Sequence, residues 1–462
     1  MVQFVVGIVL ARLLLPEDFG LIGMLVIFMA IAQAFLDSGF GAALIQKKGI
    51  TEEDVCSIFY FNISVGIGAA GLLCLFSPWI ANFFNQPVLK PLVRVMSIII
   101  VINSFGLIQD TLLRKRIDFR SITIATLIAS VSSGIVGILL AINGFGVWSL
   151  AVQQITNSFT RTVMLWFINA WRPALIFKMA SLKGMFGFGS RLLASSLLSQ
   201  IFDNIYLIVI GKMFSAADLG YYTRAKQFQE LPTMSLSGMV AKVIFPVFSE
   251  IKDDPIRLKR GLKKALTSLG LINFPMMIGL AVVSKPLVLT LLTDKWISCV
   301  PFLQVLCVVG MLFPLHLINL NLLQALGRSD LFLRLEIIKK ILIVISIAIT
   351  YRWGILPMIW GQVVVSVLSY FLNCYYSMIF IKYSMIEQLR DLLSCMVASA
   401  LMGFGVYCIS LMSFNNISLL LIIQVLFGIL IYFTVCRVFQ MEAFMELYRS
   451  ALFKIATVKN KI

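Results

Sequence analysis

Long apolar runs, each closed by a short polar or charged break, follow one another along nearly the whole chain. Turn residues and charges divide it into about fourteen runs, near 1–15, 19–45, 55–81, 91–113, 121–141, 146–169, 186–211, 221–249, 266–292, 300–326, 331–351, 355–379, 391–412 and 416–438. Crossing a hydrocarbon core about 30 Å thick takes a helix of about 20 mostly apolar residues. All runs but the first reach that length, so the pattern predicts an all-α integral membrane protein of about fourteen transmembrane helices. The first run is too short to cross.

Composition agrees. With 60% hydrophobic and 13% charged residues among 462, and a mean hydropathy of +0.98, the chain lacks the polar surface to coat a soluble particle. A formal charge of +17 raises nucleic acid as a partner, but the basic residues sit in short loops between apolar runs, with no compact basic domain. Eight cysteines at 56, 74, 299, 307, 374, 395, 408 and 436 form no CxxC pair and read as small apolar packing residues. No basic n-region or cleavage site marks a cleavable signal peptide.

Charge sets the orientation. Alternate connections divide the basic residues nineteen against seven, the rich set running from Lys47 and Lys48 through Arg114–Arg120, Arg172–Lys183, Lys252–Lys264 and Arg328 to Arg390. The C-terminal tail adds Arg437, Arg449, Lys454, Lys459 and Lys461 to that side, which the positive-inside rule makes cytoplasmic. An even number of spans places both termini there. Trp171–Lys183 reads as an interfacial connecting helix, and Lys252–Lys264 as a basic cytoplasmic loop.

Two internal echoes predict a duplication. LARLLLPEDFGL (10–21) aligns on IGKMFSAADLGY (210–221) at an offset of 200, matching Arg12 with Lys212, Asp18 with Asp218 and Gly20 with Gly220. LIQDTLLRK (107–115) echoes LLQALGRSD (322–330), matching Gln109 with Gln324 at an offset of 215. The expected organisation is therefore two parallel six-helix bundles related by a pseudo-two-fold along the membrane normal, plus two C-terminal helices. In residues, that is an N-terminal bundle over 1–169, an interfacial connector over 170–185, a second bundle over 186–380, and two extra spans with a basic tail over 381–462. The repeat also predicts that the first helix is truncated at its front.

ARLLLPEDFGLIGM, LDSGFGAALIQK, LLRKRIDFRSI and FGSRLLASSLLSQIFDNIYLIVIGKMFSAADLGYYTRAKQFQELP carry a resemblance over most of the chain. It resembles the oligosaccharide flippases of the multidrug/oligosaccharidyl-lipid/polysaccharide exporter superfamily, in the branch that handles lipopolysaccharide, exopolysaccharide or colanic-acid-type repeat units. The resemblance implies a bacterial inner-membrane protein. Its cargo would be an undecaprenyl-diphosphate-linked oligosaccharide, moved from the cytoplasmic to the periplasmic leaflet by alternating access for O-antigen, capsule or exopolysaccharide synthesis.

A diphosphate crossing lipid needs a hydrated cationic path, because an unpaired charge there costs several kcal/mol. Arg191, Arg224 and Lys242 are the first candidates for diphosphate contact, with Arg161 and Lys226 beside them, a guanidinium offering bidentate bonds to phosphate oxygens. Polar stripes at helical spacing add Gln153 and Asn157 in span six, Gln200 and Asn204 in span seven, and Gln227 in span eight. Such stripes either line a wet cavity or hydrogen-bond helix to helix. Asp203 and Asp37 are either coupling sites for a proton or sodium ion or neutralisers of a neighbouring cation. Lys226 with Glu230, and Glu336 with Lys339 and Lys340, have the spacing of local ion pairs. His316, the sole histidine, leaves no His-based metal or relay cluster and reads as a satisfied bundle residue.

Two other functions fit the span count: a multidrug exporter of the same superfamily, disfavoured by mainly basic intramembrane charge, and a non-transporting scaffold for a polysaccharide polymerase. An enzyme is not expected, nor a cofactor beyond a coupling ion. Expected partners are the lipid-linked oligosaccharide, the bilayer, and a polymerase or glycosyltransferases acting on the same glycan, with no nucleic acid; the chain is expected to be a monomer.

Overall fold

A computed structural model describes residues 2–37, 40–47, 49–412 and 416–445, and within these not the side chains of 42, 46, 184–186, 188, 191 and 239–242. The described residues form helices joined by short turns, with no strand among them. The chain divides into two compact units, Met1–Thr223 and Arg224–Ile462. The first contains α1 (Val2–Leu13), α2 (Pro16–Asp37), α3 (Phe40–Gln46), α4 (Glu52–Phe84), α5 (Leu89–Met96), α6 (Ile98–Lys115), α7 (Phe119–Ile142), α8 (Val147–Ile168), α9 (Met179–Asp203) and α10 (Ile205–Met213). Helix α11 (Ala216–Glu250) carries the division, and the second unit continues with α12 (Pro255–Val282), α13 (Ser284–Leu291), α14 (Cys299–Ala325), α15 (Ser329–Thr350), α16 (Ile355–Ile381), α17 (Met385–Ser410) and α18 (Ile417–Val438).

Among the described residues, ten helical segments are long and apolar enough to cross a membrane, and α9 with α10 makes an eleventh if that bent pair is one span. The other three expected runs are helices too, but α1 has only 12 residues, Gln153, Asn157 and Arg161 dilute α8, and five charged residues fall between Asp330 and Lys340 of α15. Large apolar side chains such as Leu75, Phe167 and Phe404 point outward, a surface suited to lipid and costly in water.

Local signals set the helix starts. Thr51 and Asp54 form a reciprocal capping box ahead of α4, and Ser384 with Glu387 does the same for α17. Asp118 caps α7, and hydrogen bonds from Ser121 hold its carboxyl below the usual carboxylate range. Asp254 caps α12 with Pro255 in the first turn, so the basic stretch read as a loop is mostly helix from Pro255 onward. Lys259 and Lys263 on that helix pair with Glu387 (3.1 Å) and Asp391 (2.7 Å) of α17. Cap chemistry outweighs the charge run here.

Trp171–Lys178 departs from the helix expected of it. It runs without helical structure, its backbone donors taken by α4: Ala174 N donates to Cys56 Sγ (3.3 Å) and Lys178 N to Ser57 Oγ (2.8 Å). Pro173 lacks an N–H and disfavours the helical region for Arg172. The strap leaves Leu175 95% exposed.

The first echo is structural. Helices α1 and α10 end at Leu13 and Met213, α2 and α11 begin at Pro16 and Ala216, and Asp18 and Asp218 accept from the backbone N of Leu15 (3.0 Å) and Ser215 (3.3 Å). The second echo needs a shift. Helix α6 ends with Ile117 N donating to Arg114 O and Asp118 N to Leu113 O; α14 ends with Gly327 N donating to Gln324 O and Arg328 N to Leu323 O. These matching Schellman bonds align Ile117 with Gly327 at an offset of 210, so Gln324 corresponds to Arg114, not to Gln109.

Candidate functional site

In the first unit, Gln33 and Asp37 are four apart on α2, while Asn103, Asp110 and Arg114 follow at steps of seven and four on α6, so each set shares a helix face. Gln33 joins the two helices: its Nε2 donates to Asp37 Oδ1 (3.2 Å) and its Oε1 accepts from Asn103 Nδ2 (2.9 Å). Asp110 is the centre of an ionic cluster. Its Oδ2 accepts from Arg114 Nε (2.5 Å), one turn on, and its Oδ1 from Arg161 Nη2 of α8 (2.6 Å). The Asp110 side chain is 14% exposed and that of Arg161 35%, and Asp37 lies within electrostatic reach of Asp110 and Arg114. One carboxylate thus engages one nitrogen from each of two guanidiniums, and each guanidinium has five N–H donors.

The rest of the α8 stripe turns toward α7. Asn157 Nδ2 donates to Ser133 Oγ (3.1 Å), and Ser132 Oγ to Thr160 Oγ1 (3.3 Å). Gln153 packs where Gly137 has no side chain: a Cβ added there would lie 2.8 Å from Gln153 Cγ. At the end of α9 the chain bends by 44° into α10, with Asp203 the last residue before the break and Asn204 within it. Asn204 Nδ2 turns back to Gln200 O (2.9 Å), covering a carbonyl that the break would otherwise leave without a helical partner. The side chain of Arg191 lies outside the described residues, as does that of Lys242.

In the second unit, Arg224 is only 9% exposed; its guanidinium donates to Gln227 Oε1 and stands over the buried Trp296 ring, 5.9 Å from the centroid. Lys226 and Glu230 form the ion pair that their spacing predicts, at 3.6 Å. Lys339 pairs with Glu336 at 3.2 Å. A buried polar seam ties α14, α16 and α17. Asn319 Oδ1 accepts from Ser377 Oγ (2.7 Å), Asn319 Nδ2 donates to Gln388 Oε1 (3.3 Å), and Tyr370 OH donates to the same oxygen (3.0 Å). His316 continues it: Asn373 Nδ2 donates to its Nδ1 (3.3 Å), leaving Nε2 to carry the proton and donate to Ser366 Oγ (3.0 Å). An imidazole bonded through both ring nitrogens is a bundle fixture.

Residues 9–301 match the family described as "Polysaccharide biosynthesis protein". The lipopolysaccharide biosynthesis protein WzxC of Escherichia coli (strain K12) is 30% identical over 79% of this chain and 75% of its own length. The teichuronic acid biosynthesis protein TuaB of Bacillus subtilis (strain 168) is 29% identical over 82% of this chain and 79% of its own. The chain belongs to the polysaccharide biosynthesis protein family. Its fold is similar to that of a solved structure described as the lipid II flippase MurJ in an inward closed conformation, at a TM-score of 0.76 and 16% identity, over 95% of this chain and 97% of that one.

For a member of this family, the sequence reading missed the partnership of Asp110 with Arg161. Arg161 was a candidate cation from the sequence, and the four-residue step from Asp110 to Arg114 signals the local pair. Nothing in the sequence brings α8 to α6. The Asn319–Gln388 contact was also hidden, because Gln388 lies beyond the duplicated region and its partner is 69 residues away.

Proposed function

We propose that this chain is a flippase that moves a lipid-linked oligosaccharide repeat unit across the bilayer. Family membership, relatives named for lipopolysaccharide and teichuronic acid biosynthesis, and a lipid-flippase fold all support the reading. The observation that carries it to residues is the Asp110–Arg114–Arg161 cluster, two guanidiniums on one carboxylate inside membrane-length helices. The cluster lies in the last two turns of α6 and α8, toward the side that the basic-residue asymmetry makes cytoplasmic, where an anionic cargo would be taken up.

In this reading the carrier sits in a bacterial inner membrane with both termini cytoplasmic, as the basic-residue asymmetry implies. The cargo is a polyprenyl-diphosphate-linked glycan taken from the cytoplasmic leaflet. Two six-helix bundles rock about a central axis, and α17 with α18 forms the additional pair. The offset-200 correspondence of helix ends supports the bundle reading. Arg161 is the first diphosphate contact; Arg224, which stands over the Trp296 ring, and Lys226 belong to the second bundle's share of the path. Asp37 or Asp203 carries a coupling ion, no bond is made or broken in the cargo, and the chain works as a monomer beside the glycosyltransferases and polymerase of its pathway.

Deletion in the native bacterium followed by mass analysis of lipid-linked intermediates tests the function. Complete repeat units on the lipid carrier should accumulate while surface polysaccharide falls. Accumulation of unfinished saccharides would point to an assembly enzyme and overturn the reading.

A further inference from the structure

Two guanidiniums held by one side-chain carboxylate resemble an anion site that already contains an anion. Asp110 is on the same helix as Arg114 and faces Arg161 from α8, so it fixes both cations with contacts of 2.5 and 2.6 Å. Each contact uses one nitrogen, whereas a phosphate group can take a guanidinium through two parallel bonds. Without Asp110, the long arginine side chains would be drawn toward the nearest head groups or water. With it, they stay together between α6 and α8. Arg161 and Arg114 are one-third and one-half exposed, so an incoming anion can reach them while the more buried Asp110 holds them.

We propose that Asp110 is a resident counter-ion for the diphosphate position: it occupies the Arg114–Arg161 pair in the empty carrier, is displaced by the diphosphate of the cargo, and returns to expel it. This rests on the flippase reading and adds a specificity residue to it. A carrier must release what it binds, and a competing carboxylate on the protein lowers affinity at both faces without weakening the arginine geometry. Asp37, held by Gln33 and within reach of Asp110 and Arg114, is a second carboxyl group beside the pair.

The test uses the full chain in nanodiscs, with farnesyl diphosphate as the titrated probe and farnesol and inorganic diphosphate as controls for tail and head. Asp110→Asn and Asp110→Ser, made in parallel, should each bind farnesyl diphosphate about tenfold tighter than the wild type, a change of one decade in Kd. Arg161→Ala should bind more weakly, and Asp110→Asn/Arg161→Ala should bind more weakly than Asp110→Asn alone. Unchanged or weaker binding in folded Asp110 variants, with Arg161→Ala still impaired, overturns the counter-ion role and leaves Asp110 as a positioning residue. Loss of folded protein in both Asp110 variants overturns it in the same way. If Arg161→Ala binds normally as well, the cluster is not the diphosphate position, while the flippase reading still stands or falls on the lipid-linked intermediates in cells.

Discussion

Gly20 and Gly220 are reciprocal: a Cβ built on Gly20 would overlap the carbonyl oxygen of Ala216, and one built on Gly220 would overlap that of Pro16. Each glycine, in the first turns of α2 or α11, makes room for the first residue of the other helix. The two residues occupy equivalent places in the repeat, so the duplicated turn packs on its own copy.

Gly20→Ala and Gly220→Ala should therefore each lower the melting temperature of the purified protein, at a cost of about 1–3 kcal/mol from overpacking against backbone. The double variant should lose less than the sum, because the two changes push apart the same pair of helices. Thermal melts of the three variants in detergent check this; full additivity would show that the glycines act separately.

Arg161→Ala and Arg224→Ala should each reduce surface polysaccharide several-fold while the protein still accumulates in the membrane. Immunoblots of membrane fractions beside polysaccharide assays separate transport loss from folding loss. Normal export in the double variant would remove both from the cargo path.

Gln388→Leu should destabilise the second unit by about 1–3 kcal/mol, because it leaves the buried Tyr370 hydroxyl without its acceptor, while Asn319 keeps Leu315 O and Ser377 Oγ. Replacing Tyr370 by Phe as well should cost little more, since that donor and its acceptor are then removed together. A double-mutant cycle read by thermal unfolding measures the coupling.

Ile117 sits at φ +60°, a left-handed conformation that a β-branched residue adopts at a cost of about 1–3 kcal/mol. Its equivalent in the second half is Gly327, at φ +72°. Ile117 is 74% exposed and loses little packing on truncation, so Ile117→Gly should raise the melting temperature and Gly327→Ile should lower it. A fall on Ile117→Gly would show that the side chain contributes a contact worth more than the strain.

Much of this was legible in the linear chain. Membrane-length apolar runs fixed the helices, since lipid leaves the backbone no partner but its own helix. Asp18 and Asp218 marked equivalent turns at an offset of 200, because an acidic side chain two residues into a helix can serve the donor just ahead of it. What misled was local competition. Asp254–Pro255 starts a helix inside a run of lysines and arginines, and Pro173 keeps extended a segment whose aromatic and basic residues suggest an interfacial helix. The alignment of Gln109 with Gln324 followed residue identity, whereas the helix-end hydrogen bonds follow geometry and put Arg114 there.

The sequence by itself determined that this is a helical membrane protein with a repeated turn and buried charge to account for, because hydropathy, caps and repeats act over neighbouring residues or recur along the chain. Only the tertiary structure decided which charges meet. Arg161 is 51 residues from Asp110, Gln388 69 from Asn319, and Gly20 200 from Gly220; such pairs form when helices pack, and no local pattern encodes them. The duplicated turn that the sequence displayed as a repeat proved to be a contact between its copies.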